Sequence, residues 1–233
     1  MATKATCFLD IDGTLAMTDG LYLKAFQDLM AEHGTTSGVD AAWFATHVAG
    51  KVDADVFRAI LPGGASIDDA AVRALSAKKD ALYCERLRSD GAELVPGLGE
   101  SFLPMCAAEG IRCIAVSNAQ RGGCEAVLGQ LKARIPLAES IIGDLIVGAE
   151  CARAKPFPDP YLEALRRVGQ PPARCVVFED SRTGVKAGVA AGLKVVGLTT
   201  SMTAADMLAA GATTTVADWT EVTADFLADL VRA

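Results

Sequence analysis

The chain has 233 residues, 51% of them apolar, with a net charge of -7 and a sequence pI near 4.9. That suffices for a full core in one domain or two modest ones, while the acidic balance argues against nucleic acid or an anionic membrane as a main partner. Seven cysteines, without a C-x-x-C pair, read as buried free thiols of a reducing compartment, and with no long apolar run and no signal-like leader after Met1 the expected location is the cytoplasm.

The first element is the apolar run Cys7-Phe8-Leu9, which leads into Asp10-Ile11-Asp12-Gly13-Thr14-Leu15 and predicts a buried central strand of a parallel sheet. Asp10 and Asp12 then sit at or just past its carboxyl end, and their i, i+2 spacing lets both reach one pocket. Carboxylates so close raise each other's pKa unless a cation or proton intervenes, so the pair suits a metal, a proton or both. Taken alone, the stretch reads equally well as an Asp-Gly turn with solvated side chains.

After Leu15 the pattern is helical for about eighty residues. Asp19 is placed to cap a helix to about Glu32, ended by Gly34, and a second segment carries Trp43, Phe44 and Val48. Asp53 precedes Val56, Phe57, Ile60 and Leu61, with Pro62-Gly63-Gly64 as a stop; Ser66, followed by Asp69, caps a long helix to Gly91. Helices inserted between the first strand and the rest predict a cap domain over 17–95, hinged near Ala16 to Thr18 and Leu94 to Gly97, on a core of 1–16 and 96–233.

From Pro96 onward strands and helices alternate as in a parallel sheet covered on both faces. A helix from Gly99 to Glu109 leads to strand Ile111–Val116, which stops at Ser117-Asn118, and a helix spans about Gly123 to Lys132. Ile141-Ile142 and Leu145–Val147 are short strand candidates, and Pro158-Asp159-Pro160 opens a helix to Val168. Strand Cys175–Phe178 ends in Glu179-Asp180-Ser181 before a helix to Ala191; Lys194–Leu198 and Thr214–Val216 are the remaining strands, with a closing helix from about Glu221. The expected fold class is α/β, a Rossmann-like parallel sheet core with an inserted small α-helical cap.

In such a sheet the carboxyl ends lie along one edge, so Asp10, Asp12, Ser117, Asn118, Glu179 and Asp180 converge, with Lys155 in a nearby loop. Clustered carboxylates suit a hard cation such as Mg²⁺, and a hydroxyl, main-chain amides and a lysine suit phosphate oxygens. A divalent ion and Lys155 balance Asp10, Glu179 and Asp180 if Asp12 is protonated, and a phosphate dianion then leaves the site at about -2. Singly, each member has an ordinary explanation: Ser117-Asn118 as a turn, Lys155 as a solvated lysine, Glu179-Asp180-Ser181 as a helix cap.

Taken together, Asp10-Ile11-Asp12-Gly13-Thr14-Leu15, Val116-Ser117-Asn118, Lys155-Pro156 and Phe178-Glu179-Asp180-Ser181 resemble the four ordered motifs of the haloacid dehalogenase (HAD) superfamily. The helical insert is similar to that superfamily's small cap. Lys155-Pro156-x-Pro158-Asp159-x-Tyr161-Leu162 and Glu179-Asp180-Ser181-x-x-Gly184 resemble the branch with β-phosphoglucomutase and sugar-phosphate phosphatases. The resemblance implies that Asp10 attacks phosphorus to form an aspartyl-phosphate, while Asp12 protonates the leaving oxygen and then deprotonates water. It implies Mg²⁺ on the Asp10 carboxylate, the Asp12 carbonyl and Asp180, with Glu179 assisting through water, and the phosphoryl oxygens on Ser117, the Asn118 amide and Lys155.

As the resemblance has it, dehalogenases and the phosphonatase lack an acid at the position of Asp12, so its presence favours phosphoryl transfer. Lys51 in the cap is then read as a substrate-reaching side chain or, equally well, as an ordinary surface lysine, rather than as a Schiff-base lysine. The mutases resembled carry a histidine where this chain has Tyr22, and Met17 replaces a usual aspartate; both favour a phosphatase over a mutase. A phospho-aspartate signalling domain is the non-enzymatic alternative, disfavoured because its acidic pair would precede a separate phosphoacceptor and leave the cap without a role. The expected partner is a small-molecule phosphate ester, and the expected assembly a monomer or small homo-oligomer.

Overall fold

The computed structural model describes residues 5–34, 39–48, 53–61 and 63–232. The chain forms two compact units, one running to Met17 and resuming at Glu93, the other Thr18–Ala92.

The first unit contains strands β1 (Thr6–Leu9), β2 (Ala16–Met17), β3 (Glu93–Leu94), β4 (Arg112–Ser117), β5 (Ile142–Val147), β6 (Cys175–Glu179), β7 (Lys194–Leu198) and β8 (Thr214–Val216). Six of them make one parallel sheet in the order β5-β4-β1-β6-β7-β8, while β2 and β3 form a separate antiparallel pair. Every residue of β1 is buried, as its near-continuous apolar sequence requires of a central parallel strand. Leu9 lies opposite Ala115 on one side and Phe178 on the other. Because β4 and β6 flank β1, the sheet's connections diverge at its end, the position at which open α/β sheets bind ligands.

The second unit contains α1 (Asp19–Glu32), α2 (Ala41–His47), α3 (Asp53–Ile60) and α4 (Asp69–Asp90). Its core gathers Phe26, Leu29, Met30, Val56, Phe57 and Val72, with Phe26 stacked on Phe57 at 6.1 Å between ring centroids. Two cap positions differ from expectation. Thr18 occupies the N-cap of α1, leaving Asp19 in the first turn, and Asp68 rather than Ser66 caps α4 by accepting the Ala71 N–H at 2.8 Å. Ser66 instead closes a 3-10 turn over Gly64–Ser66.

The remaining helices belong to the first unit: α5 (Leu103–Glu109), α6 (Arg121–Arg134), α7 (Ala138–Ile141), α8 (Asp159–Val168), α9 (Arg182–Ala190), α10 (Ala204–Ala210) and α11 (Ala224–Arg232). One face of the sheet packs Phe8, Ile114, Val177 and Val195 against Tyr161 and Ala164 of α8, Val185 of α9 and Met207 of α10. On the other face Phe178 meets Phe102 and Trp219, with centroids 5.7 and 4.9 Å away.

The two strand candidates around Ile141 are one edge strand, β5, preceded by the single turn α7. Gly143 and Asp144 interrupt its apolar pattern, which an edge strand tolerates because one side is unpaired. Helix α10 is alanine-rich with Met207 as its buried residue, so it offers no apolar periodicity; Thr203 caps it and Gly211 ends it at φ 110°.

All seven cysteines are free, and no described helix is long and apolar enough to cross a membrane. Trp219 is fully buried, and its Nε1–H donates to the Thr14 carbonyl at 2.8 Å, fastening the chain's end to the loop after β1. Trp219→Phe keeps an aromatic ring there but strands that carbonyl. It should destabilise the protein by about 1 to 3 kcal/mol in urea unfolding.

Candidate active site

Asp10 directly follows β1, and its N–H donates to the Phe178 carbonyl at 3.0 Å, so the backbone is still held to β6 where the carboxylate begins. The chain then turns tightly: Leu15 N–H returns to Ile11 O at 2.9 Å and Gly13 N–H reaches Ala16 O at 2.8 Å. Gly13 has φ 72°, and a Cβ there would lie 1.9 Å from Asp180 Oδ2. Both conformation and space therefore require glycine, and its absent side chain lets the turn lie against Asp180.

Ser117 ends β4, accepts the Ala119 N–H at 3.0 Å and donates over a long 3.3 Å to Asp12 Oδ2. The Asn118 side chain holds the main chain of Lys155 in both directions: Nδ2 donates to Lys155 O at 2.9 Å, and Lys155 N–H donates to Oδ1 at 3.0 Å. That clip fixes the root of Lys155, whose side chain is 2% exposed.

Lys155 Nζ donates to Asp10 Oδ1 at 2.7 Å, Val116 O at 2.7 Å and Glu179 Oε1 at 2.6 Å. An ammonium has three N–H bonds, and these three acceptors use them. Glu179, fully buried, is equally occupied. Its Oε1 also accepts the Tyr161 hydroxyl at 2.9 Å, and its Oε2 accepts the Ser181 N–H at 3.2 Å and Oγ–H at 2.9 Å. Ser181 Oγ in turn accepts the Gly184 N–H at 3.1 Å, so Ser181 both caps α9 and holds Glu179.

Charge states follow from this burial. Desolvation pushes the Asp10 carboxyl well above its ordinary pKa; Lys155 opposes that, and Glu179, Asp180 and Asp12 add to it. Burial draws the Lys155 ammonium down, but Asp10 and Glu179 outweigh it and hold the group charged. Burial and then Glu179 raise the Tyr161 phenol, which keeps its proton. Cys124, close to Asp12, is pushed up to about 12 mainly by burial, so its thiol is not an available nucleophile.

Asp10, Glu179 and Asp180 each present a carboxylate oxygen within 4.8 Å of the others, and all three residues are buried. Together with Asp12 they face one cation among the described residues, Lys155, and this acidic excess of hard oxygen donors fits a Mg²⁺-type ion. The Asp12 carboxylate is not part of that cluster and turns toward Ser117. The structure thus brings Asp10, Asp12, Ser117, Asn118, Lys155, Glu179 and Asp180 to one edge of the sheet. Lys51 lies outside the described residues.

Three neighbours join the site without standing among the residues that the sequence motifs assign to it. Tyr161 lies within the stretch that begins at Lys155-Pro156 and donates to Glu179. Ser201 Oγ donates to Asp180 Oδ2, and Thr200 Oγ1 donates to Gly13 O at 2.6 Å. Both follow β7, so the rule that strand ends line the site marks them, although threonine and serine after a strand look like an ordinary turn.

A family model described as haloacid dehalogenase-like hydrolase matches residues 4–192 of the chain. Protein CbbY of Rhodobacter capsulatus is 34% identical over 222 residues, covering 94% of this chain and 92% of its own. A β-phosphoglucomutase of Mycobacterium tuberculosis is 30% identical over 211 residues, covering 82% and 79%. The 2-deoxyglucose-6-phosphate phosphatase 1 of Saccharomyces cerevisiae is 28% identical over 229 residues, covering 93% and 88%.

Since the Asp10 carboxyl titrates higher folded than unfolded, the folded chain holds the extra proton, and the stabilisation is complete below the unfolded value of about 4. It is lost as pH rises through the folded value. In EDTA, Asp10→Asn, which cannot ionise, should therefore melt above the unsubstituted protein at neutral pH, with the gap narrowing toward about pH 4. Added Mg²⁺ should narrow the neutral-pH gap by stabilising the unsubstituted protein.

Proposed function

The chain belongs to the haloacid dehalogenase-like hydrolase family, and we propose that it is a magnesium-dependent phosphatase acting on a sugar phosphate or similar small phosphate ester through Asp10. The observation that carries this reading is the pairing of Asp10 with the Lys155 ammonium at 2.7 Å while a second carboxyl group, Asp12, stands two residues on. A carboxylate nucleophile needs its negative charge tolerated in a buried site, and Lys155 supplies the compensating charge. A neighbouring carboxyl group supplies what displacement of an alkoxide needs, a proton for the leaving oxygen.

Asp10 attacks phosphorus, forming the acyl-phosphate bond as the ester P–O bond breaks, and Asp12 transfers its proton to the departing oxygen. In the second half Asp12, now a carboxylate, takes a proton from water as the water oxygen attacks phosphorus. The acyl-phosphate bond breaks, releasing inorganic phosphate and regenerating Asp10. Ser117 and the Asn118 main-chain amide hold phosphoryl oxygens, and Lys155 keeps positive charge beside the nucleophile throughout. A magnesium ion, for which Asp10, Asp180 and the Asp12 carbonyl are the candidate ligands with Glu179 behind them, supplies further positive charge against the phosphoryl oxygens when bound.

The substrate class rests on the relatives: one named for 2-deoxyglucose 6-phosphate and another for a phosphoglucose. The latter favours a second reading, a phosphomutase. Against it stands Tyr22, stacked flat on Tyr83 at 3.9 Å, where the mutases resembled carry a histidine. A phenol does not exchange protons near neutral pH as an imidazole does.

With Mg²⁺, the purified protein should release inorganic phosphate from at least one member of a panel of sugar and short-acid phosphates, and EDTA should stop it. Asp10→Asn should lower kcat by at least about a thousandfold with an unchanged circular dichroism spectrum. Conversion of glucose 1-phosphate to glucose 6-phosphate without phosphate release would identify a mutase, and no turnover of any kind would overturn the reading.

A further inference from the structure

We propose that Tyr161 is a positioning residue for this reaction, acting through Glu179 to set where the Lys155 ammonium stands relative to Asp10. The inference rests on the phosphoryl-transfer reading given above. Tyr161 lies in the first turn of α8, is fully buried, and stacks on Phe8 of β1 with 6.4 Å between centroids. A phenylalanine would fill that space equally well, so packing does not account for the hydroxyl. What the hydroxyl does is donate to Glu179 Oε1 at 2.9 Å, the same oxygen that accepts Lys155 Nζ at 2.6 Å. The ring also lies under the ammonium, 5.1 Å from its nitrogen.

Glu179 cannot turn away to meet a change at Oε1. Its Oε2 is held by two donors on Ser181, and its carboxylate lies so close to α9 that a Cβ on Gly184 would stand 1.7 Å from Oε1. Lys155 is the partner that can shift. Its Nζ is shared among Asp10, Val116 O and Glu179, so its place is a balance of three attractions. The Tyr161 hydroxyl satisfies part of the Glu179 charge and weakens one of them. Without it, the ammonium is drawn toward Glu179 and away from Asp10, where charge redistributes during transfer.

Tyr161→Phe deletes one oxygen and keeps the ring. In a Mg²⁺ assay on whichever substrate the unsubstituted protein hydrolyses best, kcat should fall about tenfold, the equivalent of one hydrogen bond to a charged group, with KM changed by less than about twofold. Independently of turnover, the Lys155 Nζ resonance in a ¹H–¹⁵N spectrum of lysine-labelled protein, assigned by its loss in Lys155→Met, should move in Tyr161→Phe. An unchanged kcat or an unmoved resonance overturns the proposal. If the unsubstituted protein hydrolyses nothing, the phosphatase reading fails instead, and the resonance still decides whether Tyr161 positions Lys155.

Discussion

One buried ammonium holds the centre of this molecule together. Lys155 Nζ donates to the residue that follows β1, to a carbonyl of β4 and to the last residue of β6, which are the three adjacent central strands of the sheet. Burying an ion is costly unless partners and hydrogen bonds replace its water, and here every N–H of the ammonium has an acceptor. Strand alternation delivers the partners: Phe8 and Val177 face α8, and two residues further on the same face the chain reaches Asp10 and Glu179. The constraint that aligns three strand ends is thus the one that puts a positive charge beside the candidate nucleophile.

The surroundings divide the acids by task. Glu179 spends both oxygens on four donors and belongs to the frame. Asp180 is steadied by Ser201 and lies against the Gly13 turn, which Thr200 secures in its turn. Asp12 points to Ser117. A divalent cation is a complementary addition to such a site, because it offsets the negative charge that the carboxylates leave in excess over Lys155.

Much of this was legible in the residues. The apolar run into Asp10-Ile11-Asp12-Gly13 specified a central strand, and β4, β6 and β7 were equally plain, because buried parallel strands are written as continuous apolar runs. Convergence of Asp10, Ser117, Lys155 and Asp180 followed from topology alone. Legibility failed where the physics is local or tertiary: β5 hides an edge strand behind Gly143-Asp144, and α10 is built from alanines. Whether Asp68 or Ser66 caps α4 is a matter of a residue or two. Lys155 read singly is a surface lysine, and no local pattern says that its ammonium is shared between two buried carboxylates or that Tyr161 donates to one of them.

The most direct test of the central claim is a double-mutant cycle on Lys155→Met and Glu179→Gln, with unfolding free energies measured in urea and EDTA. The account predicts that Lys155→Met alone costs about 3 to 5 kcal/mol by stranding buried carboxylates. It also predicts that the pair costs less than the sum of the singles by about 1 to 3 kcal/mol. Additivity to within about 0.5 kcal/mol would contradict it, for then the ammonium and Glu179 would not be joined in the folded protein.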